Sequence, residues 1–116
     1  MTDWTGWQFP AWEKALHEYS KVRSECAELK ESLRLAEITR DSMLSQAFLK
    51  AKRDGMTVEE AKHTARLDKE YIAAVEDVAR LEGKLDYVWG RIKAAELWFE
   101  MTRSAVSYRK AEMEMQ

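Results

Sequence analysis

Side chains able to do chemistry are sparse in this 116-residue sequence. Its two histidines, His17 and His63, stand in different segments. Neither has a cysteine or second histidine at the spacing that a metal site needs, so both read as solvated helix residues. The one cysteine, Cys26, falls on an apolar stripe, where a free thiol behaves as a small buried hydrophobe rather than a nucleophile. A lone cysteine also excludes an internal disulfide framework and fits a reducing cytoplasm. Neither a glycine-rich phosphate loop nor a His-Glu-x-x-His run is present. Carboxylates are plentiful, but a chain with 34% charged residues places glutamates side by side on a helix by chance. The expectation is a protein without catalysis, metal or other cofactor.

What remains is positive charge. Residues 49–69 hold six basic side chains, Lys50, Lys52, Arg53, Lys62, Arg66 and Lys69, against Asp54, Glu59, Glu60 and Asp68, a net +2. The flanking segments 1–48 and 70–116 are each net -2, as is the whole chain. Overall charge therefore gives no support to a nucleic-acid partner, but the middle segment does. One reading is a solvated patch balanced by its own carboxylates. The other is contact with nucleic-acid phosphates, weak for one copy and multiplied when copies assemble, since affinity follows the number of phosphates neutralised. Phe48 and Tyr71 would add stacking on bases, although Tyr71 also lies on a core stripe.

The elements that must position these residues are helices. One proline and four glycines leave too few turns for an all-β or α/β fold of this length. No stretch approaches the apolar length of a membrane span, and the start Met1-Thr2-Asp3-Trp4 does not read as a leader. Pro10 suits a first helical turn and follows the aromatic group Trp4, Trp7 and Phe9, so residues 1–11 read as an aromatic arm and 12–53 as the first helix. Asp54-Gly55 supplies its stop. Thr57-Val58-Glu59-Glu60 matches a capping box that opens a short helix over 57–66. Asp68 offers a second cap before a long helix over 69–115, leaving open whether the chain breaks at Leu67-Asp68.

Heptads run along both long helices. In the first, positions a and d begin Trp12, Ala15, Tyr19, Val22, Cys26, Leu29, Leu33 and Ala36; Arg40 then interrupts, and the apolar face drifts to Leu44, Phe48 and Ala51. In the last, a is Tyr71, Val78, Leu85, Ile92, Phe99, Val106 and Met113, apolar for seven heptads. The fold expected is an all-α antiparallel hairpin, a coiled coil with a short helix at its tip. Trp89 and Trp98 lie beside the main stripe, as do Leu16, Leu35 and Val75, so the apolar flank exceeds what one partner helix covers. Copies are therefore expected to join in a homo-oligomer that buries the surplus. Gly83 and Gly90, away from the stripe, are either tolerated surface glycines or points where another backbone comes close.

The run Gly55-Met56-Thr57-Val58-Glu59-Glu60-Ala61, then Ala65-Arg66-Leu67-Asp68-Lys69-Glu70-Tyr71, then a long helix through Leu85-Asp86-Tyr87 and Trp98 to Arg103-Ser104, resembles small phage-encoded proteins of the UvsY-like recombination mediator type. The likeness covers roughly residues 45–112. It implies an oligomer that binds single-stranded DNA in the host cytoplasm and helps a recombinase displace single-strand-binding protein. The tip lysines and arginines are the residues it carries over. The competing expectation is a protein-interaction module without nucleic-acid binding, either a phage anti-defence inhibitor or a coiled-coil adaptor or chaperone. A structural coiled coil of a virion or tail assembly is a third. No small-molecule substrate is expected under any of these.

Overall fold

Two backbone devices, four residues of chain apart in their effects, turn this polypeptide back on itself. The computed structural model describes residues 4–115, with side chains from Pro10 onward. Helix α1 (Trp4–Arg53) ends at Gly55, whose φ of 87° is open to glycine without a Cβ penalty. There Gly55 N–H donates to the Lys52 carbonyl at 3.1 Å and Met56 N–H to the Ala51 carbonyl at 3.2 Å. This is the Schellman pattern, which satisfies carbonyls that a helix end leaves unpaired.

The second device starts at once. Thr57 caps α2 (Val58–Arg66): its hydroxyl oxygen accepts from Glu60 N–H at 3.3 Å, and the Glu60 carboxylate accepts from Thr57 N–H at 3.4 Å. Leu67 closes α2, and Asp68 opens α3 (Lys69–Met115) by accepting from the Glu70 and Tyr71 N–H groups, each at 3.1 Å. The chain therefore does break at Leu67-Asp68. Both helix starts after the turn stand where the sequence places them.

The start of α1 differs. The helix already runs from Trp4, so Pro10 sits inside it and not in its first turn. A proline removes one intrahelical hydrogen bond, and no competing turn residue surrounds this one to end the helix there. The side chains of Trp4, Trp7 and Phe9, expected to pack as an aromatic arm, lie outside the described residues.

The result is an all-α helical hairpin whose packing forms two compact units, residues 27–86 and the pair 1–26 with 87–116. A side chain on a long helix reaches only partners on its own level of the facing helix, so contacts gather locally. Within the 27–86 unit, Ala36 of α1 packs with Val78 and Leu81 of α3, flanked by Leu29 and Leu33. Ala51, Ala61 and Ala65 are buried in the same unit, small side chains that let α2 lie close. In the other unit Val22, Cys26, Val88 and Ile92 form the buried layer. Next to it Trp12, Trp98, Phe99 and Tyr19 make a cluster of rings with centroids 5.3–6.1 Å apart.

In both units the heptad stripes are the covered faces. Val78, Leu81, Val88 and Ile92 are buried, and Tyr71, Leu85, Phe99 and Val106 are partly so. The off-stripe residues stay at the surface: Leu16 and Leu35 are more than half exposed, and Trp89, at 41%, carries the Lys93 ammonium 5.3 Å from its ring centroid. A Cβ added at Gly83 or Gly90 would meet nothing within 4 Å. No helix is long and apolar enough, among the described residues, to cross a membrane.

Candidate nucleic-acid interface

The cationic segment falls wholly within the 27–86 unit, where the turn fixes how its side chains are shared out. All six basic residues are exposed. Leu49 separates them into two grooves. The first, about 470 Å³, lies between α1 and α2 and is lined by Leu44, Phe48 and Leu49 with Lys62 and Arg66. The second, about 520 Å³, lies between α1 and the start of α3. It brings together Lys50, Arg53 and Lys69 with Met43 and Leu49, and includes Asp68 and Glu70. Lys52 goes elsewhere: its ammonium donates to the Met56 carbonyl at 3.1 Å, tying the turn from within. Five of the predicted cations thus flank the two grooves, and the sixth serves the fold.

The carboxylates that were expected to balance them are partly committed. Glu60 is held by the capping box, where it also accepts from the Thr57 hydroxyl at 2.8 Å. Asp68 caps α3. Glu59 lies 3.8 Å from Lys62, an exposed pair of the kind worth about 0–1 kcal/mol. Acting as caps, Glu60 and Asp68 have their negative charge directed at helix N-termini. Of the two aromatics proposed for stacking, Phe48 is partly exposed in the first groove, whereas Tyr71 is partly buried at the first turn of α3.

Sequence reasoning gathered the cations but missed the grooves. The apolar floor of the first, Leu44, Phe48 and Leu49, depends on the angle at which α2 leaves the turn, and the second groove on how α3 starts beside α1; no spacing in the chain encodes either. The drift of the apolar face past Arg40 was the visible trace of that floor.

The other unit holds a third, smaller recess of about 210 Å³ with Tyr19, Val22, Arg91, Trp98 and Phe99 in its lining. At its edge the Tyr19 hydroxyl donates to Glu96 Oε2 at 2.9 Å. That hydrogen bond to a carboxylate, with some desolvation, holds the phenol above its ordinary pKa of 10.0. His17 and His63 are exposed and Cys26 is buried. Among the described residues no three His, Cys, Asp or Glu side chains converge as metal ligands would. Compared with known proteins, the chain matches no family model, no curated sequence and no solved structure.

Proposed function

We propose that this protein is a non-catalytic accessory of phage-type DNA recombination that binds single-stranded DNA as a homo-oligomer in the cytoplasm. The observation that carries the reading is the division of Lys62 and Arg66, and of Lys50, Arg53 and Lys69, between two adjacent grooves, the first with an apolar lining of Leu44, Phe48 and Leu49 and the second also lined by Asp68 and Glu70. Cations beside apolar and aromatic surface suit a strand that offers phosphates on one side and base faces on the other. One copy presents five such cations, and an assembly lines them into a longer track.

Titrating labelled single-stranded DNA by fluorescence anisotropy tests this. If all five cations meet phosphates, log K falls with log salt at a slope of about -3.5, or roughly 100-fold between about 50 and about 200 mM. Reversing Arg53 and Arg66 to Glu takes one cation from each groove and adds a negative charge, so binding should drop more than tenfold while assembly persists. Equal binding by this double variant and the parent sinks the tip assignment.

The second reading is a protein-interaction module, an anti-defence inhibitor or coiled-coil adaptor. What favours it is the exposed apolar surface of α3, where Tyr87, Leu97, Met101 and Tyr108 are each more than half exposed. A chain that fails to bind DNA at low salt, yet pulls a partner down through that surface, fits this reading and not the first.

A further inference from the structure

α3 is apolar on two sides. Its a and d positions face α1, but positions c and f, on the opposite side, form a second stripe within the unit that holds residues 87–116. From Tyr87 the residues at alternate steps of three and four run through Gly90, Leu97, Met101 and Tyr108 to Met115, and none of the nine positions is charged. A chain with 34% charged residues would ordinarily place several charges there. Every one of these positions is exposed, and open space lies above Gly90. The stripe spans four heptads and about 42 Å, the length at which such a stripe sustains helix pairing.

The charges beside the stripe say what covers it. Of the charged residues directly flanking the stripe, Arg91 and Lys93 stand in its N-terminal half, Glu112 and Glu114 in its C-terminal half, and Glu100 at its middle beside Met101; Asp86 directly precedes it, and Arg103, Arg109 and Lys110 lie on the side of the helix toward α1. Arg91 makes a 3.8 Å contact with Glu25, and both partners are substantially exposed. A helix that is positive along one half of a stripe and negative along the other complements a copy of itself running in the opposite direction, and repels one running parallel. We propose that α3 pairs antiparallel with α3 of a second copy through this stripe, crossing near Met101, about midway between the two charge groups. The pairing is isologous, each copy giving and receiving the same contacts, so it closes on a dimer. It names the surface for the self-association in the proposed function, yet it stands or falls apart from DNA binding.

Sedimentation equilibrium on the full chain decides it. The parent should associate, and the double variant Leu97→Glu with Met101→Glu should sediment as a monomer with unchanged helical circular dichroism, because both sites are exposed. A monomeric parent at about 100 μM, or a variant that associates like the parent, overturns the proposal. Reversal of Arg91 and Lys93 to Glu should weaken association at least tenfold, and adding Glu112→Lys with Glu114→Lys should restore it; no rescue contradicts the charge matching. Orientation is read by oxidative crosslinking in a Cys26→Ala background. Met101→Cys should crosslink to itself and Met115→Cys should not, whereas efficient crosslinking at Met115→Cys means parallel helices.

Discussion

The two units solve the same problem, holding α1 against α3, by different chemistry. In the 27–86 unit the order is written into the backbone. The Schellman turn at Gly55, the Thr57–Glu60 box and the Asp68 cap fix three helix ends within a dozen or so residues, and the buried side chains between them are mostly alanine. In the unit of residues 1–26 and 87–116 no turn is present to guide the chain, and order comes from bulk: Ile92 and Val88 wholly buried, with four rings beside them. Local chemistry resists change at single backbone positions; side-chain packing resists change in volume. The first unit exposes clustered cations, the second exposes apolar surface.

Mutations can break that contrast. The largest loss is expected from Ile92→Ala, about 3 kcal/mol in urea unfolding, because the side chain is fully buried and its space cannot refill. Hydrogen exchange should then rise in the ring-bearing unit before the other; a uniform rise would mean the two units unfold as one. Ala65→Leu is the counterpart at the tip, where added volume rather than a cavity does the damage. It should cost about 2 kcal/mol and release α2, seen as faster proteolysis near Leu67. Gly55→Ala forces a left-handed backbone on a side chain, and Asp68→Ala strips two N–H partners from α3; each should lower stability by about 1 kcal/mol. The smallest effect is at Tyr19. Its raised pKa means that the neutral phenol is favoured by folding, so this contribution is complete below pH 10 and is lost as pH rises through the folded value. Tyr19→Phe should flatten the alkaline fall in melting temperature, and an unchanged slope would show that the Glu96 hydrogen bond does not persist in solution.

The contrast also explains what could be read in advance. Thr57, Glu60, Asp68 and Gly55 declare their roles by type and spacing, since caps and turns act over three or four residues, and the ends of α2 and the start of α3 were legible for that reason. So were the covered faces, because heptads report one stripe at a time. Pro10 misled: it marks a helix start more often than it marks an interior, and only the surrounding backbone decides. Trp98 lies off the stripe and is 39% exposed, and its ring also meets Trp12 at 6.1 Å, a meeting between distant residues that no local pattern announces. The tip cations were legible as a group but not as two sets, because their division depends on how α2 and the start of α3 each pack on α1.

Cys26 is 4% exposed and is the single thiol of the chain, set in the layer with Val22, Val88 and Ile92. An aromatic disulfide reagent can reach it only when the helices part at that level, so the labelling rate is a clock for local opening. The protein carries its own reporter in a buried layer, and a ligand or second copy that steadies the hairpin there would be seen as a slower reaction without any added probe.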